Sequence, residues 1–105
     1  MRDKIEHLVG LGNDAEIETN ERGGSQSKAG YRFDLIDTTA IFGLAEVCKK
    51  GAEKYGIDNW RLIGRREHVN HAIIHLYAWL AGDKQEKHLE HAFTRIMFAI
   101  GTTYE

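Results

Sequence analysis

The stretch HVNHAIIHLYAWLAGDKQEKHLEHAFTRIMFAI, residues 68–100, decides the fold. Apolar residues recur in it at steps of three and four, the period of a helix with one buried face. Val69, Ala72, Ile73, Leu76 and Leu80 form one stripe, on a helix expected from about Arg66 to Ala81. Leu89, Phe93, Ile96 and Ile100 form a second. Between them Gly82 supplies a helix stop. Asp83 followed by Glu86 reads as a capping box that opens the next helix, which should run to about Thr103. Helices joined by so short a turn lie antiparallel.

Histidines cross both helices. His68, His71 and His75 share one face bordering the first stripe, and Trp79 continues that line. His88 lies with Ala92, Arg95 and Ala99 on a face beside the second stripe, with His91 next to them. Two readings stay open. Such histidines either hydrogen-bond within a helix boundary, or they bind a metal or move protons. Structural zinc is the weaker reading, because the lone Cys48 cannot supply a thiolate set.

Towards the N-terminus, GLAEVCKKGAEKYGIDNWR, residues 43–61, reads as a helix running into a tight loop. The helix opens at Asp37, Thr38 or Thr39, all competent N-caps, and ends near Tyr55, where Gly56 provides the stop. Ile41, Leu44, Ala45, Cys48, Ala52 and Tyr55 make its apolar stripe. Glu46 and Glu53 are two turns apart, within about 20° of one another, and point away from that stripe. They are either a solvated face with Lys49, Lys50 and Lys54, or a cation site closed by another surface. Tyr55, Asn59, Trp60 and Arg61 are suited either to stacking on a base and holding a phosphate, or to plugging the bundle end with a turn.

Residues 1–30 are polar and broken by glycines, which suggests a flexible arm or loose hairpin ahead of a single all-α domain over 31–105. YRFDLID, residues 31–37, alternates like a short extended segment, and Lys28 and Arg32 beside it could reach a phosphate. The expected architecture is a small bundle of three main helices with an irregular N-terminal arm, completed by oligomerisation into a homodimer or homotetramer, because 105 residues hold only a modest core.

Composition narrows the function classes. A formal charge of -2 gives no basic field for a nucleic-acid polymer. One cysteine, no N-terminal apolar leader and no run of about 18 apolar residues point to the cytoplasm and away from a membrane. No Walker loop, nucleophile elbow, paired CxxC or His-Asp doublet is present.

KAGYRFDLI at 28–36, GAEKYGIDNWR at 51–61, HVNHAIIHLYAWLAGD at 68–83 and HLEHAFTRIMFAI at 88–100 together resemble the phage-type dATP/dGTP diphosphohydrolase domain, related to the MazG-like all-α nucleoside triphosphate pyrophosphohydrolases. The resemblance implies hydrolysis of purine deoxynucleoside triphosphates to monophosphate and pyrophosphate with Mg²⁺ or Mn²⁺, in the host cytoplasm if the gene is a phage's. Carried over, it implies metal roles for Glu46, Glu53 and Asp83, and proton transfer by Glu53, His75 and His71. Lys28, Arg32, Lys54, Tyr55, Asn59, Trp60, Arg61, His91 and Arg95 would contact substrate. MazG-like sites use ExxE and ExxD ligands, whereas here Lys49 stands three residues after Glu46 and the second helix offers histidines. That departure keeps open a rival, a non-catalytic helical interaction or metal-binding protein on the same scaffold.

Overall fold

The computed structural model describes residues 8–105, and the first seven residues of the expected arm lie outside the described residues. Contacts divide the chain into a unit ending at Asp37 and a unit spanning Thr38–Glu105. In the first, β1 (Ile17–Thr19) and β2 (Ser25–Ser27) pair antiparallel, with Ile17 opposite Ser27 and Thr19 opposite Ser25. The hairpin is held by polar groups. The Asn20 side chain accepts from the Arg22 and Gly24 amides at 3.0 and 2.9 Å, and Gly23 takes the positive φ of 84° that the reversal needs.

The extended segment expected over 31–37 is corrected to a 3-10 turn at Phe33–Leu35. Leu35 and Ile36 amides bond back to the Arg32 and Phe33 carbonyls, both at 3.1 Å. A bidentate pair between Arg32 and Asp34, with both bonds 2.8 Å, accompanies the curl. Local ion pairing and turn bonds outweigh the weak alternation of the sequence.

The second unit is the all-α bundle: α1 (Thr38–Tyr55), a 3-10 turn (Asn59–Leu62), α2 (Arg65–Leu80) and α3 (His88–Gly101). The helix α3 packs against both α2 and α1. Gly56 closes α1 with φ 101° and its amide on the Ala52 carbonyl at 2.8 Å. Gly82, φ 88°, ends α2 in a Schellman motif, with Asp83 bonded to the Ala78 carbonyl and Gly82 to that of Trp79. The start expected for α3 at residues 83–86 is corrected to His88. Asp83 Oδ2 is taken by the Gln85 amide and the His88 ring instead, so no capping box forms.

The packing keeps only Ala72 of the stripes expected on the last two helices. Only Ala72, Ala92 and Ala99 are buried apolar residues among those described, while His68 and His88 are buried with them. The stripes read from the sequence lie open: Val69, Ile73, Leu76 and Leu80 on α2, and Leu89, Phe93, Ile96 and Ile100 on α3, are all 38% exposed or more. On α1 the packed face is turned towards Gly43, Val47 and Gly51, leaving Ile41, Ala45 and Tyr55 exposed. A Cβ at Gly43 would lie 2.8 Å from Glu90 Cγ, so the missing side chain is what admits this approach.

Arg65, the first residue of α2, holds the chain's end. Its Nε bonds the Ala99 carbonyl at 2.9 Å, Nη2 the Thr102 carbonyl at 2.7 Å and Nη1 the Glu105 carboxylate at 2.6 Å, while its amide bonds the Tyr104 carbonyl at 2.7 Å. Two of these carbonyls would otherwise be orphans at the C-terminus of α3. Arg65→Met should cost roughly 2 kcal/mol, the scale of charge-assisted bonds to carbonyls. Chemical denaturation should show that loss, and amide exchange should quicken over residues 99–104.

Candidate functional site

The same spacing recurs on two facing helices. On α2, His68, His71 and His75 are separated by three and four residues, and on α3 so are His88, His91 and Arg95. Antiparallel packing brings His68 to Arg95 and His75 to His88 and His91. Ala72, Ala92 and Ala99 are small enough for the helices to close over this polar seam.

At one end His68 is 1% exposed and fully bonded. Its Nε2–H donates to the Trp60 carbonyl at 2.9 Å and its Nδ1 accepts from Arg95 Nη1 at 3.1 Å. A carbonyl only accepts and a guanidinium only donates, so this is the neutral Nε2–H tautomer. Burial pushes the His68 pKa down, opposed by the Trp60 carbonyl and reinforced by Arg95 and His71. The Trp60 ring stacks on Phe98 at 4.6 Å and 6°, and the Arg61 guanidinium sits 4.2 Å from its centroid. Trp60 also reaches α3 closely enough that a Cβ at Gly101 would lie 3.1 Å from it. In this chain the ring surface a base would stack on is engaged by Phe98 and Arg61, and Trp60 closes the bundle end.

At the other end lies a chain of three groups. Asp83 Oδ2 accepts from His88 Nε2–H at 2.5 Å, and His88 Nδ1 is 2.9 Å from His75 Nδ1. One proton lies between the two Nδ1 atoms, carried by His75 if His88 is neutral. The bond from His88 holds the Asp83 carboxyl below its ordinary range. His91 stacks on His75 at 4.9 Å and 18°. Burial lowers the His75 pKa, His91 adds to this, Glu86 opposes it, and His88 and Arg95 add again. One ligand atom from each of His75, Glu86 and His88 lies within 4.8 Å of the others.

Of the other residues singled out by sequence, His71 is half-buried on α2 between the two ends. The Glu46 carboxylate carries Lys87 at 3.3 Å and Lys50 at 3.5 Å, and Lys87 is the main cause of its lowered pKa. Glu53, Lys54 and Tyr55 are exposed on the last turn of α1, with Lys54 Nζ 5.1 Å from the Tyr55 ring. Asn59 opens the 3-10 turn. Lys28 and Arg32 belong to the first unit, where they face Glu16 at 4.0 Å and Asp34 at 2.8 Å. Glu46, Glu53 and Asp83 do not gather as one ligand group among the described residues.

Sequence reasoning gave no site role to Glu86, and it carried His88 only as one of the histidines that either hydrogen-bond, bind a metal or move protons. The signal was present in Asp83, Glu86, His88 and His91 following one another within a single turn region, but Asp83 and Glu86 were absorbed by the capping-box reading.

Lowered histidine pKa values set a pH dependence. His68 and His75 are neutral in the fold and take up protons more readily when unfolded, so their contribution is full above the ordinary value of about 6.5. It is lost as pH falls from there through the lower folded values. Thermal midpoints should drop between pH 7 and pH 5, and His68→Gln should flatten that slope.

A family model described as dATP/dGTP diphosphohydrolase, N-terminal, matches residues 20–104. No curated protein and no solved structure matches the chain. The matched span takes in β2, all three helices and both ends of the histidine seam. The chain therefore belongs to the dATP/dGTP diphosphohydrolase N-terminal domain family.

Proposed function

We propose that this domain takes part in hydrolysing purine deoxynucleoside triphosphates, dATP or dGTP, to the monophosphate and pyrophosphate. The observation that supports it is the family match across residues 20–104, within which lies a polar seam with two coupled histidines and a carboxylate. Water attacks the α-phosphorus, the bond from that phosphorus to the bridging oxygen breaks, and pyrophosphate leaves. Such a reaction asks the protein mostly for positioning and charge neutralisation. A divalent ion, Mg²⁺ or Mn²⁺, supplies neutralisation on the phosphate oxygens when bound.

The chain's own groups supply the rest. His71, His75 or Glu53 accepts the proton of the attacking water. Lys54 and Tyr55, exposed at the end of α1, contact phosphate and base, with His91 and Arg95 along the seam and Asn59 and Arg61 just after α1, and the resemblance adds Lys28 and Arg32. The donor set fits an ion unevenly. Glu46 already holds two ammonium groups, whereas His75, Glu86 and His88 approach one another as ligands do.

The open stripes bear on assembly. Phe42, Tyr77, Leu80 and Ile100 are between 69% and 79% exposed, on helices whose only buried apolar residues are alanines. Faces of this kind resemble a domain core cut in half, and the active form is a homodimer or homotetramer in the cytoplasm. The rival reading, a non-catalytic helical interaction or metal-binding protein, draws on Glu46 being tied to lysines.

The deciding assay follows pyrophosphate release from each deoxynucleoside triphosphate with Mn²⁺ or Mg²⁺. Release should be seen with dATP and dGTP, and its absence from folded, metal-supplemented protein would leave only the rival. Glu53→Gln should lose turnover, falling at least tenfold, without changing the oligomer. Sedimentation at micromolar concentration should return two or four chains per particle, and a monomer would refute the assembly.

A further inference from the structure

We infer that His75, Glu86 and His88 form a binding site for one first-row transition-metal ion, with Mg²⁺ disfavoured. The residues gather from two helices and the turn between them. His75 lies near the C-terminal end of α2, Glu86 in the segment 83–87, and His88 at the first position of α3. One donor atom of each falls within 4.8 Å of the other two, compact enough for a single ion between them.

The Nδ1 atoms of His75 and His88, 2.9 Å apart, can both turn to a first-row ion such as Mn²⁺, Co²⁺ or Ni²⁺ once the proton between them is displaced. Two imidazoles and one carboxylate also bind such ions better than Mg²⁺, which prefers oxygen donors.

A second observation supports the site independently. Ligand histidines are oriented by a carboxylate on the other ring nitrogen, which fixes the tautomer and raises basicity. Asp83 does this for His88: Oδ2 accepts from Nε2–H at 2.5 Å, leaving Nδ1 as the nitrogen that points at His75. Asp83 is thus a positioning residue, not a ligand, and the ion takes the place of the proton now shared between the two Nδ1 atoms, which moves to Nε2 of His75. That replacement assigns His75 to the ion and leaves the water's proton to His71 or Glu53. Three protein donors leave coordination positions open for oxygen donors such as those of a phosphate chain. The assignment of the water's proton and the use of the open positions rest on the function proposed above.

Calorimetry on the full chain with each ion alone, in the absence of nucleotide, tests the site. One ion per chain should bind, with affinity rising from Mn²⁺ through Co²⁺ to Ni²⁺ and Mg²⁺ at least a hundredfold weaker. Glu86→Gln, at an exposed position, and His75→Gln, at a half-buried one, should each weaken Co²⁺ at least tenfold, Asp83→Asn about tenfold, and Glu46→Gln not at all. Unchanged Co²⁺ affinity in both Glu86→Gln and His75→Gln, each verified as folded, overturns the site, as does Mg²⁺ binding as tightly as Co²⁺. Ion binding with these variant effects but no hydrolysis upholds the site and removes the proposed function. Hydrolysis by a protein that binds no Co²⁺ or Ni²⁺ does the reverse.

Discussion

Two buried imidazoles between α2 and α3 constrain everything else in the bundle. A buried ring with an unsatisfied nitrogen costs a few kcal/mol, so the helices must meet in the register that pairs each nitrogen. His68 is satisfied by Trp60 and Arg95, and His88 by Asp83 and His75. One-residue slippage of the hairpin would break both sets, because the pairs lie at opposite ends of the same interface. The seam therefore specifies register as well as offering chemistry.

That choice explains the thin apolar core. A helix interface filled by rings and guanidinium needs small neighbours, and alanines supply them at 72, 92 and 99. The larger apolar residues are displaced to the flanks, where a single chain leaves them open. The glycines of α1 serve the same economy of space, since Gly43 lets that helix lie against the Glu90 side chain. Fold and candidate site are thus two consequences of one packing decision, with the His75, Glu86 and His88 cluster beside the α2–α3 turn and the Trp60 and Arg65 contacts at the other end.

Much of this could be read from the residue order. The hairpin of two helices followed from their periodicity, and Gly56 and Gly82 ended α1 and α2 as their backbone freedom allows. The histidine line could be read as such, and so could the alternatives of hydrogen bonding or metal binding. The structure assigns them differently at the two ends: His68 has no spare nitrogen, while His75 and His88 share one proton and stand beside Glu86. Helical spacing alone cannot distinguish these, because it fixes which residues share a face but not what stands across from that face.

The sequence by itself determined the three helices, their glycine ends, the antiparallel hairpin and the family resemblance, all of which depend on local periodicity and on motifs contiguous in the chain. Only the tertiary structure decided which face is buried, because a stripe of leucines and isoleucines and a stripe of histidines and alanines are equally regular at period 3.6. It also decided that Asp83 orients an imidazole rather than caps α3, and that Glu46 holds lysines. Each of those outcomes turns on a partner on another element, at a distance the order of residues does not contain.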